Sequence, residues 1–406
     1  MTVVDAFEEF NRNMGMGRIE NPYPVFGEMR CDGPPVQKAD LRRMFDLPVA
    51  DPPEGSPPIY TACTYDAVQE ILKDGERFSS RIYEGFMGVV MGHTILEMDE
   101  PEHHRYRALL MQAFSKKALE HWETDVVGPV IDECIDKFAD RGRAELVREL
   151  TFPFPVNVIA HLLGLPVEDI PQFHVWTVEL ISISFDFDKS MRASQALGEY
   201  LEEKIAHRRR NLRDDFVSVL IKAEIDGHSL SDEEIISFCR LLLPAGAETT
   251  YRSSSNLLHG LLTNTDQLDA LRTDRSRVPK AIEEGLRWEP PLLTIMRTAT
   301  EDTEVCGAPL EKGAVIIINL GSANHDESRW DDPESLEIMR KAQQHMAFGF
   351  GTHMCLGQHL ARMETRVLLD KVFDRLPGLR LDPDAAPAPI TGMTFRTPTA
   401  LPVLFG

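Results

Sequence analysis

A single cysteine in a glycine-rich turn, directly before a long helical pattern, constrains this chain more than any other feature. Residues 348–362 read FGFGTHMCLGQHLAR, and Cys355 lies in the turn. The glycines around it permit backbone angles that other residues avoid, and they let a flat ligand approach the main chain. The N–H groups that open the following helix favour an anionic sulfur. The pattern therefore predicts a thiolate that binds a metal; the alternative is a buried structural cysteine.

A second unusual pattern lies inside a long helical pattern over residues 232–262. The segment 244–250 reads PAGAETT, and both proline and glycine are unfavourable in a helix interior. Thr249 can also bond back to a preceding carbonyl and open the helix further. Local conflicts of this kind are often found at functional sites. The alternative is a proline-kinked core helix with a capped threonine.

Two charged pairs follow helical spacing. Glu284 and Arg287 share one helix face and are followed by two prolines. His103 and Arg107, four residues apart, also share a face. Taken alone, the Glu284–Arg287 spacing is more typical of a solvated salt bridge, and an exposed basic cluster is the alternative for His103 and Arg107.

The turn matches Phe-x-x-Gly-x-x-x-Cys-x-Gly, and with the other motifs in this order it resembles the cytochrome P-450 family. The resemblance covers nearly the whole chain, from Asn21-Pro22-Tyr23-Pro24 to Cys355. It implies a mainly α fold with a minor β part, as a single cytochrome P-450 domain over residues 1–406. Haem would lie between the long oxygen-activating helix and the helix that follows the cysteine loop.

The resemblance also implies roles for individual residues. Cys355 would ligate the iron of haem b, because an axial thiolate favours O–O cleavage. Thr249 and Glu248 would be catalytic: Thr249 would donate to the reacting oxygen beside the groove at Gly246, and Glu248 would relay protons from solvent. The other expected haem contacts are His103, Arg107, Arg297 and His353 at the propionates, and Ala245, Gly246, Phe348, Gly349 and Gly357 around the ring.

Two further sets of residues follow from the resemblance. Glu284, Arg287 and Arg340 would support the haem loop without taking part in catalysis. The substrate would be lined from segments 83–96, 292–296 and 393–395, with Phe185 and Phe187 in the roof, although ordinary core packing is an equal alternative for each residue. The individual pocket predictions are Leu241, Ala245, Leu293, Ile295 and Phe395.

Charge and cysteine usage limit the partners. The net charge of −22 (43 Lys+Arg against 65 Asp+Glu) argues against nucleic acid. The six cysteines show no pairing rhythm, which fits a reducing compartment. The N-terminus is acidic, and no long apolar run occurs. We therefore expect a soluble, cytoplasmic monomer that does not contact membranes.

The expected reaction inserts one atom of O2 into a hydrophobic small molecule and reduces the other atom to water. The resemblance implies electrons from a ferredoxin or flavodoxin and its reductase, because the sequence has no flavin or iron–sulfur segment. The donor would dock beside the thiolate, on two helices that carry Arg105, Lys116, Lys117, Arg366 and Lys371. A peroxygenase, an oxidative coupling enzyme and a haem-thiolate sensor remain alternatives; retention of Glu248 and Thr249 weighs against the first.

Periodicity gives a coarse secondary structure. It predicts short strands at 59–62 and 315–319, a glycine-rich loop at 82–96, and a candidate linker at 51–58. Helices are predicted at 21–30, 65–73, 102–114, 118–139, 156–163, 190–210, 232–262 and 360–376.

Overall fold

The computed structural model describes residues 3–13, 15–47 and 54–406. Part of the linker candidate lies outside these residues, and its described part, 54–58, leads directly into a strand. Helices dominate the described chain: α1 Val3–Asn13, α2 Tyr23–Asp32, α3 Leu41–Met44, α4 Tyr65–Lys73, α5 Met87–Met91, α6 Glu102–Met111, α7 Lys116–Trp122, α8 Gly128–Asp136, α9 Pro153–Leu162, α10 Ile170–Ile181, α11 Phe187–Arg210, α12 Phe216–Lys222, α13 Asp232–Thr263, α14 Thr265–Thr273, α15 Val278–Trp288, α16 Leu320–Asn324 and α17 Gln358–Arg375.

The strands are short, and most belong to small sheets. The largest sheet has the order β1-β2-β10-β7-β3; β2 and β10 are parallel, and its other neighbours are antiparallel. The strands are β1 Val36–Gln37, β2 Ile59–Ala62, β3 Phe78–Ser79, β4 Arg143–Glu145, β5 Glu224–Ile225, β6 His228–Ser229, β7 Thr294–Ala299, β8 Thr303–Val305, β9 Ala308–Leu310, β10 Val315–Asn319, β11 Arg380–Leu381, β12 Ile390–Thr391, β13 Thr397–Pro398 and β14 Pro402–Leu404.

The long helix α13 runs through the main core and positions one wall of the site. A capping box of Ser231 and Glu234 starts it, and its 32 residues span about 48 Å. Pro244 lies inside the helix, which continues on both sides. It packs against α9, α10, α11, α15 and α17. Even so, no helix among the described residues is both long enough and apolar enough to span a bilayer.

The prediction of a loop at 82–96 is wrong as far as Met91. Arg81–Gly85 forms a 3-10 helix, and α5 follows it. Val90 and Met91 of α5 are buried in the main core, so tertiary packing outweighs the low helix propensity of the glycines. Gly92, with φ +85°, ends the helix. The predicted bounds of β2, β10 and α4 coincide with the observed ones.

Candidate active site

A cavity of about 390 Å³ lies between α13, α17 and the Cys355 turn. Thr249 and Glu248 line it from α13. The ten residues predicted to hold a cofactor also line it: His103, Arg107, Ala245, Gly246, Arg297, Phe348, Gly349, His353, Cys355 and Gly357.

Backbone constraints hold the Cys355 turn. The N–H of Cys355 donates to the carbonyl of Phe348 at 2.8 Å. Gly349 and Gly351 have φ of +70° and +71°, which glycine adopts without strain. A Cβ on Gly351 would lie 2.2 Å from the carbonyl oxygen of Leu72, so only glycine fits against α4. The turn therefore presents one sulfur at a fixed place in the cavity wall.

Opposing effects act on the Cys355 thiol. Burial raises its pKa, whereas the N–H of Gly357 and the guanidinium groups of Arg107 and Arg362 lower it. Gly357 is the N-cap of α17, so one N–H at the start of this helix stabilises the thiolate, but burial is the larger effect. The thiolate thus needs a further cation to stabilise it, and a metal ion has that effect.

A group of cationic and imidazole side chains, which we name the cationic rim, comprises His103, Arg107, Arg297 and His353. Arg297 is buried and donates to the carbonyl of Met296 at 2.7 Å. Arg107 donates to the carbonyl of Met354 at 2.6 Å. Within the described part of the chain, neither arginine forms a salt bridge.

The two histidines of the cationic rim lie against each other. Their ring centroids are 4.0 Å apart. Burial lowers the pKa of His353 to about 2, and Arg297, His103 and Arg107 add to the effect. The buried Nε2 of His103 has no hydrogen-bond partner among the described residues. The buried Arg297 and the half-buried Arg107, neither in a salt bridge among the described residues, and the orphaned ring nitrogen fit a ligand that brings carboxylates. The cavity therefore fits haem with its two propionates.

The α13 wall carries the predicted acid and alcohol. Thr249 Oγ1 donates to the carbonyl of Ala245 at 2.8 Å. Glu248 is 2% exposed and forms an ion pair with Arg252 at 2.9 Å. A Cβ on Gly246 would meet the side chain of Ile159 at 2.9 Å. The space that Gly246 leaves is therefore taken up by α9, and Ala245 presents the more open surface to the cavity.

Behind the turn lies a set of ion pairs that we name the support network: Glu283, Glu284, Arg287, Arg340 and Arg362. Glu284 Oε1 accepts from Arg287 at 2.8 Å and from Arg340 at 3.0 Å. Arg287 also donates to carbonyl oxygens of the segment 324–335, so the network ties α15 to the chain that leads into the turn. Glu283 pairs with Arg362 of α17 at 2.6 Å.

Comparisons with known proteins agree with this geometry. The sequence model of the cytochrome P450 family matches residues 173–394. A steroid C26-monooxygenase of Mycobacterium tuberculosis (strain CDC 1551 / Oshkosh) is 36% identical over 85% of this chain and 94% of its own length. A putative cytochrome P450 of Bacillus subtilis (strain 168), YjiB, is 34% identical over 88% of each chain. The crystal structure of CYP109E1 from Bacillus megaterium in complex with testosterone has a TM-score of 0.84 and 32% identity, over 95% of this chain and 99% of that chain.

The chain belongs to the cytochrome P450 family. The predicted fold is confirmed, and the chain is a cytochrome P450 monooxygenase, an oxidoreductase of a haem-iron family.

One pocket prediction for this cytochrome P450 is wrong. Leu293 is 0% exposed and packs in a separate core cluster with Ile317 and Met393. Its neighbour Leu292 lines the cavity instead and forms a β-bridge with Phe395. Alternate residues of an extended segment face opposite sides, so a shift of one position exchanges core and cavity. The other predicted residues, Leu241, Ala245, Ile295 and Phe395, line the cavity.

Other cavity residues come from less expected places. Phe185 packs against the main core and Phe187 is 47% exposed, and neither lines the cavity. The side of the cavity that the sequence assigned to Phe185 and Phe187, its roof, is formed largely by segment 83–96, the end of α10 and the first half of α13. These lining residues are Tyr83, Met87, Met91, Ile95, Leu96, Ile181 and Phe238.

Two charged residues of the cytochrome P450 site were missed by sequence reasoning. Arg252 follows Glu248 by four residues, and this spacing could have revealed it. Glu364, on α17, lines the cavity; burial raises its pKa to about 8, opposed by a hydrogen bond with Thr250. Its Oε1 is buried without a partner in the described structure. Nothing in its spacing distinguishes it from a surface glutamate.

Proposed function

We propose that this cytochrome P450 uses haem b to insert one oxygen atom of O2 into a hydrophobic small molecule. When bound, the haem supplies dioxygen activation, and two electrons and two protons from outside balance the second oxygen atom as water. The observation that carries the proposal is the shared cavity of Cys355, the cationic rim, and the Glu248–Thr249 pair.

Each group of residues has a distinct part in this proposal. Cys355 ligates the iron, and the cationic rim binds the propionates. Ala245, Gly246, Phe348, Gly349 and Gly357 form the walls against the ring. Thr249 would hold a proton at Oγ1 in the cavity wall, and Glu248 would receive protons from solvent and pass them to it. The segment 83–96 and Phe395 exclude water and orient the substrate.

The lining supports an apolar substrate and does not select one compound. Most of the roof residues are methionine, leucine, isoleucine and phenylalanine. One relative is named a steroid C26-monooxygenase, and one neighbour binds testosterone. Steroids are therefore the first class to test, followed by terpenoids, fatty acids and aromatic compounds.

We propose that the electron donor, a ferredoxin or flavodoxin served by its reductase, docks beside α17. A surface groove there is lined by Lys116, His359, Arg362 and Arg366 together with Glu120, Glu123 and Glu283. Arg362 lines this groove and also lies close to Cys355. The expectation that the docking cations come from two helices is wrong: a 3-10 turn at Gln112–Phe114 separates α6 from α7, so α6, α7 and α17 all contribute.

The proposed setting is the cytoplasm, as a monomer with one catalytic domain over residues 1–406. The described cysteines are free, which supports a reducing compartment.

A turnover assay tests the proposed reaction. The haem-loaded protein, a surrogate ferredoxin with its reductase, and NAD(P)H are incubated with substrates that first give a low-spin to high-spin shift. We expect a product that carries one atom from labelled O2. Product formation with hydrogen peroxide alone, but not with NAD(P)H, would identify a peroxygenase. Products in which two substrate groups are joined and no oxygen atom has been inserted would indicate oxidative coupling. If no product forms with NAD(P)H or with hydrogen peroxide, the result would favour a sensor.

A further inference from the structure

The carboxylate predicted to relay protons is held by an arginine one turn later on the same helix. Arg252 donates to Glu248 Oε2 through Nη2 at 2.9 Å and through Nε at 3.2 Å. The side chains are 0% and 2% exposed, respectively. Glu248 also lines the cavity, next to Thr249. The acid therefore reaches the cavity while its charge is neutralised from behind.

The position of Arg252 is fixed from outside α13. Its Nη2 also donates to Asn11 Oδ1 of α1 at 2.9 Å. The centre of its guanidinium lies 5.0 Å from the Phe395 ring, 4.7 Å from the Tyr251 ring and 5.8 Å from the Phe10 ring. Because Phe395 and Glu248 line the cavity and Arg252 does not, Arg252 lies one side chain behind the cavity wall.

Stability alone does not account for this pair. Replacing a buried ion pair by apolar residues of similar volume is often neutral or stabilising. Arg252 Nη1 has no hydrogen-bond partner among the described residues, so the arginine is not fully satisfied. An incompletely satisfied charge in the core is unfavourable, which favours a functional role for Arg252 over a purely stabilising one.

We propose that Arg252 is a positioning residue for proton delivery: it keeps Glu248 ionised and directed along α13, and Asn11 holds Arg252 in place. This inference rests on the proposed role of Glu248 in the monooxygenase reaction. The carboxylate then accepts one of the protons delivered from solvent, passes it towards Thr249 and returns to its ionised form, and Arg252 remains a cation throughout.

The charged surroundings of Glu248 are few among the described residues. Burial raises the pKa of Glu248, and Arg252 lowers it through its charge and its hydrogen bonds. Tyr251 is the other titratable neighbour on α13, and Glu364 of α17 lines the same cavity. From α1, Asn11 and Phe10 are neutral, while Glu8 and Glu9 pair with Arg148 and Lys189. Loss of Arg252 would therefore leave burial almost unopposed.

The decisive experiment compares Arg252→Met with Arg252→Lys by infrared titration of the haem-loaded proteins. We expect the protonated-carboxyl band of Glu248 to titrate about one to three pH units higher in Arg252→Met, which is the effect of removing a close opposite charge. Arg252→Lys keeps the charge and should titrate close to the original protein. The band is assigned to Glu248 because it should vanish when Glu248→Gln is added to either variant.

The matched control is Arg240→Met. Arg240 is a half-buried arginine of α13, and its Nε donates to the carbonyl of Ser194 and not to a carboxylate. It should leave the Glu248 band unchanged. If Arg252→Met does not give a folded haem protein, Arg252→Gln replaces it with the same expected shift. A Glu248 band that titrates equally in the original protein and the neutral variants would overturn the inference.

The same variants separate this inference from the proposed function. The fraction of NAD(P)H converted to product should acquire a pH profile displaced upward by the same interval in Arg252→Met. If the infrared shift occurs but Glu248→Gln couples as well as the original protein, Arg252 does position Glu248 and the proposed relay is wrong. If Glu248→Gln uncouples the reaction but no infrared shift occurs, the relay stands and Arg252 does not position it.

Discussion

Two groups of arginines flank the Cys355 turn, and they differ in what neutralises them. In the support network, each arginine meets a glutamate of α15. On the cationic rim, Arg107 and Arg297 meet only carbonyl oxygens among the described residues. The buried Nε2 of His103 completes this contrast, because no described group bonds to it.

In the support network the protein itself supplies the counter-charges of the arginines, whereas in the cationic rim a ligand would have to supply them. A buried charge without a counter-charge is far less favourable than a buried pair. The support network is therefore complete in the protein alone, and it shapes the turn before any cofactor binds. The arginines of the cationic rim have no counter-charge among the described residues, so we expect the rim to favour a cofactor that carries carboxylates.

The largest effect is expected at Cys355, where the two groups meet. Cys355→Ala should abolish the red-shifted Soret band of the reduced, CO-bound protein, because the thiolate ligand is lost. Cys355→His should give a histidine-type haem spectrum. Cys31→Ser changes an exposed cysteine and should leave the band intact. If the band survives in Cys355→Ala, the assignment of Cys355 as the thiolate ligand is wrong.

Substitutions in the support network should lower the free energy of unfolding of the protein. Glu284→Gln leaves Arg287 and Arg340 buried without their counter-charge and should lower the free energy of unfolding by about 3–5 kcal/mol. Glu283→Gln is the matched change on the same helix, and its smaller effect follows from a side chain that is 38% exposed. Urea unfolding followed by circular dichroism measures both. Equal losses would mean that burial of the pair does not matter.

A substitution in the cationic rim should stabilise the haem-free protein but weaken haem binding. Arg297→Met removes a buried, unpaired charge, so the haem-free protein should become more stable. It also removes a charge-assisted contact, worth about 1.5–3 kcal/mol, so haem release should accelerate roughly ten- to a hundredfold. Haem transfer to a scavenging apoprotein gives the rate.

Arg77→Met is the control for that measurement. Arg77 pairs with Asp74 and Glu70 outside the cavity, and its loss should not change haem release. If Arg297→Met instead destabilises the haem-free protein, the cationic rim is satisfied without a ligand and the contrast between the two groups fails.

A smaller effect is expected from the alcohol on α13. Thr249→Ala should still bind haem and substrate, because neither contact depends on Oγ1. Product formed per NAD(P)H should fall on the order of tenfold, with peroxide released instead, since a positioned proton donor is missing. Thr249→Ser keeps the hydroxyl and should stay near the original coupling. Unchanged coupling in Thr249→Ala would exclude it from proton delivery.

Local patterns predicted the elements that depend on local physics. The run Val-Ile-Ile-Ile-Asn gave β10 its bounds, and the Cys355 turn was readable because its glycines serve a local conformation. The error at Leu293 has another origin: which face of an extended segment meets a cavity depends on partners distant in sequence, here Thr394 and Phe395. The helix at Met87–Met91 likewise depends on burial against the main core.

The smallest effect concerns the docking surface. Arg366 pairs with Glu123 and Asp370, and Lys371 pairs with Asp132, so these cations are largely neutralised. Lys117 is exposed and forms no salt bridge within the described residues. Of these cations, Lys117 is therefore more available than Arg366 for a direct ion pair with an acidic donor.

Lys117→Glu should raise the apparent KM for the ferredoxin roughly two- to fivefold, because an exposed charge contributes about 1 kcal/mol or less. Arg366→Glu makes the same −2 change in local charge and leaves Glu123 and Asp370 without their counter-charge, so it should raise this KM at least as much. Lys312→Glu, in the turn between β9 and β10, is the control and should have no effect. The Lys117 effect should also fade as salt rises, because screening acts over about 10 Å at 0.1 M. A larger effect at Lys312 would place the donor on the sheet, away from the thiolate.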